Sequence, residues 1–136
     1  MTAKEYLQRY KAAYLEAQDI EMRMAKLRLK YAMPSAVQYS DMPTAHSGKS
    51  DVSAYIVKME ALTDCLIKQY SKCMGVEMDI ITRIESMDKQ EEKAVLLYRY
   101  VDMLSWRQIA DKMTYGLRHV YRIHGSALQH FPYDDG

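Results

Sequence analysis

With 136 residues, 49% of them apolar, the chain can bury one compact core, or a small domain plus an extended element, and two large domains are excluded. Five glycines and three prolines among many Ala, Leu, Lys, Glu, Gln and Met residues favour an all-α fold over a sheet, and a net charge of +1 argues against a generic nucleic-acid glue. Two cysteines, Cys65 and Cys73, are too few for a disulfide framework; no signal-like segment or run of ~18 apolar residues occurs, so a reducing cytoplasmic location without a membrane is expected.

The first predicted element runs from Thr2 to Met33. Its apolar positions, Tyr6, Tyr10, Ala13, Ala17, Ile20, Met24, Leu27 and Tyr31, advance by alternating fours and threes, the seam of a coiled-coil helix. Thr2 and Glu5 have the spacing of a capping box, and Pro34 ends the helix. The segment Pro34–Ser50 holds Pro43 and Gly48 and reads as a connector. From about Asp51 a second run, Tyr55, Met59, Leu62, Leu66, Cys73, Val76, Ile80 and Ile84, repeats the three-to-four spacing with an interruption at Gln69. The first helix ends basic (Arg23, Lys26, Arg28, Lys30) and the second begins acidic (Asp51, Glu60, Asp64), so antiparallel pairing would set opposite charges side by side. Gly75 inside the second helix predicts a bend or a close helix crossing.

Ser86 and Asp88, the latter three before Glu91, give the next start signal, for a helix expected to bury Ala94, Leu97, Tyr98 and Val101 and to stop at Asp102–Leu104. Ser105-Trp106-Arg107-Gln108 is a capping box opening a short helix with Trp106, Ile109, Ala110 and Met113 on one face. After Thr114-Tyr115-Gly116 a last helix begins at Leu117, and a short helix joined by so tight a turn to a longer one is the helix-turn-helix pattern. Ala110 is small enough to let the two approach.

On the last helix, Leu117, Val120, His124, Ala127 and Leu128 fall on one side, with Ile123 at its margin. The other side holds Arg118, His119, Arg122 and Ser126, flanked by Tyr121 and Gly125. An arginine fork can bind guanine O6 and N7 or clamp a phosphate, and histidine and serine add single contacts. Arg107, in the first turn of the preceding helix, is placed to meet a phosphate. From Tyr98 to Tyr133 five cations (Arg99, Arg107, Lys112, Arg118, Arg122) face two acids (Asp102, Asp111), a weakly basic face on a neutral chain.

Plainer readings compete. On an isolated helix Arg118 and Arg122 would be solvated charges, and only the paired-helix frame tips them toward contact. His119 divides evenly between contact and ordinary surface, His124 reads as a core-margin histidine, and Trp106 as core. The 12 tyrosines and 11 methionines read as packing material. A metal site fails on spacing, since His119 and His124 are on different helix faces and neither CxxC nor HExxH occurs. There is no Gly-rich phosphate loop, and nothing points to a catalytic pocket, so no enzyme, metal or cofactor is expected.

The run from Met87 to Phe131, above all LLYRYVDMLSWRQIADKMTYGLRHVYRIHGSALQHF, resembles the fourth region of bacterial sigma factors. The whole chain, with its MTAKEYL start, SDMP in the connector and Leu117 to His124 near the end, is similar to phage regulators of late transcription of the RinA/ArpU type. That resemblance implies a protein of the bacterial host cell that binds duplex DNA near a phage promoter, stimulates late or packaging genes and engages host RNA polymerase. Arg118, His119, Tyr121 and Arg122 stand at the recognition-helix positions. Sigma-like sequences commonly carry glycine where Met103 stands, so that turn is expected to be strained or differently shaped, and a hydroxyl residue where Gly116 stands.

The resulting expectation is an all-α chain: an antiparallel helical hairpin over 1–87 with a loop at 34–50, capable of self-association, then a helix-turn-helix module over 88–131 and a tail over 132–136. The DNA contacts assigned are Arg107, Arg118, His119, Tyr121, Arg122 and Ser126. Two alternatives stay open, a phage DNA-packaging small subunit and an interaction module that binds only protein.

Overall fold

The computed structural model describes residues 1–32 and 47–133 and is all-helical over them, with no strand. The Thr2 hydroxyl accepts the Glu5 N–H at 3.1 Å while the Glu5 carboxylate accepts the Thr2 N–H at 2.9 Å, so the expected capping box opens α1, Ala3–Leu7. Gln8 interrupts the predicted continuous helix, and α2 follows over Arg9–Ala32. Helix α3 spans Ser47–Glu85. It begins inside the segment read as a connector, whose residues 34–46 lie outside the described residues, as does Met33. Then come α4, Gln90–Leu96, which widens into a π turn over Leu97–Val101, α5, Trp106–Met113, and α6, Leu117–His130.

The chain divides into two compact units: residues 15–71, and residues 1–14 together with 72–136. The division falls within α2 and within α3 instead of between Met87 and Asp88, because the first turns of the chain and the end of α3 pack with the C-terminal helices.

In the unit over 15–71 the seam reading holds position by position. Ala17 is buried, and Ile20, Met24, Leu27 and Tyr31 on α2, with Tyr55, Met59, Leu62 and Leu66 on α3, are half-buried. Gln69 is half-buried too, occupying a seam position with a polar side chain. The Tyr31 and Tyr55 rings meet at 4.9 Å and the Tyr70 hydroxyl donates to the Glu21 carboxylate, so late residues of α2 meet early ones of α3 and the reverse. Charge contributes less than the sequence suggested. The ion pairs among the described residues are Arg83–Asp79 and Glu92–His130, and neither joins the basic end of α2 to the acidic start of α3.

The other unit is built round Tyr6, Leu7, Ile80, Ile84, Met87, Leu96, Tyr100, Ala127 and Phe131. Tyr6 is its most heavily used side chain. Its ring packs at 5.9 Å from Phe131 and 5.3 Å from Tyr133, the Arg9 and Arg83 guanidiniums approach it at 4.4 and 5.0 Å, and its hydroxyl donates to Asp79. Pro132 and Tyr133, assigned to a tail, belong to this packing, since Arg83 Nη1 donates to the Pro132 carbonyl at 2.9 Å. Residues 134–136 lie outside the described residues. Among the described residues no atom beyond the adjoining backbone of its own helix comes within 4 Å of where a Cβ on Gly75 would stand, so no close helix crossing explains that glycine.

Helix α4 departs from the sequence reading in two ways. Its N-cap is Lys89, without a side-chain bond, not Asp88. Its buried residues are Glu92, Val95, Leu96 and, in the π turn, Tyr100, whereas Ala94, Leu97, Tyr98 and Val101 are half-buried. A uniform 3.6-residue period cannot describe a helix that widens at Leu97, where Asp102 N–H bonds the Leu97 carbonyl five residues back at 2.9 Å. The element also has apolar neighbours on two sides: Leu97 and Val101 pack on the main core, and Tyr98 on a smaller cluster of Ile109, Ala110 and Val120.

Candidate nucleic-acid interface

The segment 102–117 fixes how α5 and α6 meet. Met103 turns the chain out of the π turn with φ 60°, a left-handed conformation that costs a residue bearing a Cβ about 1–2 kcal/mol. The strain expected from the absence of glycine there is thus present. Leu104 N–H closes the turn on the Tyr98 carbonyl at 2.9 Å, and the Arg99 guanidinium donates to the Leu104 carbonyl at 3.1 Å while lying 4.4 Å from the Trp106 ring. Ser105 and Gln108 then form the predicted capping box, with bonds of 3.1 and 2.8 Å.

Helix α5 ends in a Schellman pair. Thr114, with φ 57°, donates its N–H to the Asp111 carbonyl at 3.3 Å, and Tyr115 donates to the Ala110 carbonyl at 3.0 Å. Gly116 starts α6 in extended conformation and offers no side-chain cap. Ala110 is buried against Val120, as its size predicted.

Helix α6 is two-faced. Val120, Ile123 and Ala127 are buried, His124 and Leu128 half-buried, so Ile123 sits at the centre of the packed face, not at its margin, while Leu117 is exposed. The outward face carries Arg118, Tyr121, Arg122 and Gly125, all exposed, with Tyr121 at 49% exposure and its ring edge-to-face with Trp106, the centroids 5.2 Å apart. Arg107 is exposed at the start of α5. Among the described residues Arg107, Arg118 and Arg122 have no protein partner. The two other cations of the region are held internally, Arg99 by Trp106 and Leu104, and Lys112 with its ammonium 5.0 Å from the Tyr98 ring.

The remaining assigned residues differ in standing. His119 is half-buried, its ring edge-to-face with Tyr115 and the centroids 4.4 Å apart. Ser126 is half-buried and donates its hydroxyl to Glu92 at 2.6 Å, a bond that ties α6 to α4. Glu92, only 4% exposed, also accepts from His130 Nδ1 at 2.9 Å. Burial by itself would raise its carboxyl pKa; the Ser126 bond, the His130 bond and charge, and Lys89 outweigh it and hold the group below its ordinary value. Sequence reading missed Glu92 because its partners lie more than thirty positions away, and a lone Glu in a helical pattern reads as surface.

His124 is the core-margin residue expected. It shares a 2.7 Å hydrogen bond with the Tyr100 hydroxyl, stacks on that ring at 5.7 Å and meets Trp106 edge-on at 4.6 Å. Burial, then the charges of Lys4 and Arg99, push its pKa down to about 4, so the imidazole is neutral at pH 7. Among the described residues no cluster of His, Cys, Asp and Glu could hold a metal ion, and no helix is long and apolar enough to cross a membrane.

No family model matches the chain, and no curated protein or solved structure gives a significant match.

Proposed function

We propose that the C-terminal helices form a helix-turn-helix module of the sigma-region-four kind, and that the chain is a sequence-specific DNA-binding regulator of phage late transcription. In this reading α5 crosses the phosphate backbone, α6 lies in the major groove, and the helices of 15–71 form a hairpin that supports self-association. Host RNA polymerase is the partner through which bound protein would act.

One observation carries the reading. Three arginines without a protein partner among the described residues, Arg107, Arg118 and Arg122, stand exposed on two helices joined by a three-residue turn, while the opposite face of α6 is buried. Arginines on successive turns of a helix match base-edge and phosphate spacing in a major groove, and Arg107 at the second position of α5 suits a phosphate. Tyr121 adds an exposed aromatic edge between them. His119 and Ser126, both half-buried and in contact with the protein, are assigned secondary roles at the border of the contact.

Fragments of the source genome selected by binding would supply the target, and fluorescence anisotropy would supply affinities. Replacing Arg122 by Ala should weaken a selected site by about 1–3 kcal/mol relative to other sequences, whereas Arg107→Ala should weaken all sequences alike and lower the salt slope by about one. Binding that is salt-insensitive and unchanged in the Arg118→Ala, Arg122→Ala double variant would assign the face to a protein partner instead.

A further inference from the structure

Helix α2 carries a second apolar line besides the one that meets α3. Leu15, Met22 and Leu29 recur every seven residues and are 47%, 58% and 59% exposed, although each is flanked along the helix by buried or half-buried seam residues. Ala25, also exposed, lies between the last two at the intervening heptad position. A seven-residue apolar repeat on the outside of a helix, here over two heptads with Gln18 and Ala25 at the intervening positions, is the pattern of a coiled-coil contact. From Leu15 to Leu29 it is about 21 Å long.

The charges beside this line reverse at its midpoint. Ahead of Met22 stand Glu16, Asp19 and Glu21; beyond it stand Arg23, Lys26, Arg28 and Lys30, all exposed, and no acid follows Glu21 in the helix. Such a strip is complementary to itself when turned end for end. Two copies related by a two-fold axis near Met22 set acid on base throughout, whereas parallel copies in register set acid beside acid and base beside base.

We propose that the outer face of α2 is a homodimer contact in which two copies pack antiparallel through Leu15, Met22, Ala25 and Leu29. Heptad geometry with Met22 facing Ala25 of the second copy puts Asp19 opposite Lys26, and Glu21, whose carboxylate also accepts from Tyr70, opposite Arg28. The contact lies wholly within residues 15–71 and is independent of whether α6 binds DNA.

Sedimentation equilibrium of the full chain tests the register by charge exchange. The wild type should dimerise reversibly, and less tightly as salt is raised. Lys26→Glu opposes carboxylates at two symmetric places and should raise the dimer dissociation constant about tenfold or more, while Asp19→Lys with Lys26→Glu should return it to within about threefold of wild type. Circular dichroism should show equal helix content in all three. The proposal is overturned if the wild type stays monomeric up to about 1 mM, if Lys26→Glu dimerises as well as wild type, or if the double variant is no tighter than the single one.

Discussion

Thr114 is a β-branched residue at φ 57°, where the Schellman turn between α5 and α6 needs a left-handed link and most chains place glycine. Its side chain is exposed, so the substitution Thr114→Gly removes little packing while relieving the Cβ clash. It should stabilise the fold by about 1 kcal/mol, read as a rise in the urea midpoint at unchanged slope. Met103, at φ 60°, carries the same strain but is half-buried, so Met103→Gly loses contacts that offset the relief and should gain less. A smaller effect at Thr114 than at Met103 would contradict this account. Non-glycine residues in left-handed conformation thus stand at both ends of α5.

At the level of elements, Glu92 joins α4 to α6 by accepting from Ser126 and His130. Glu92→Ala leaves the Ser126 hydroxyl without that acceptor and opens space beside it, and should cost about 1–3 kcal/mol in denaturant unfolding. An effect within experimental error would show that the bonds to α4 do not help hold α6. The helices themselves were legible because their signals are local. Capping boxes at Thr2 and Ser105, the seam of α2 and α3, and the start of α6 at Leu117 all follow from residues within a turn or two of one another. What stayed hidden depends on distant partners or on geometry that no period describes. The widened turn at Leu97–Val101 moved the buried face of α4, the Arg99–Trp106 stack joins residues across a turn, and Glu92 looked like one more surface carboxylate. Of the assigned contacts, Arg118 and Arg122 follow from helical period, Tyr121 flanks them and Arg107 follows from its place in the first turn of α5, while Ser126 shares the outward half yet leans to its edge and finds Glu92.

At the scale of the whole molecule, two groups make folding sensitive to acid. His124 titrates near 4 in the folded chain and at about 6.5 when unfolded, so the unfolded state alone takes up this proton as pH falls between those values. Stability from keeping it neutral is complete above pH 6.5 and lost progressively toward pH 4. Glu92, held below its ordinary 4.5, contributes above that value and loses the contribution as pH drops through its folded pKa. The thermal midpoint should therefore fall from pH 7 to pH 4, and His124→Phe, which cannot protonate, should flatten the upper part of that fall; an equally steep fall in the variant would exclude the histidine as its source. The π turn has a consequence for how the chain tolerates changes in length. A one-residue deletion within Leu97–Val101 removes the residue that the widened turn accommodates and lets the segment close as ordinary helix, so Val120 stays beside Ile109 and Arg118 keeps about its present bearing. The widened turn is slack in the winding of the chain, so loss of a single codon there should be far better tolerated than loss of one within α5, where everything beyond would swivel by about 100°.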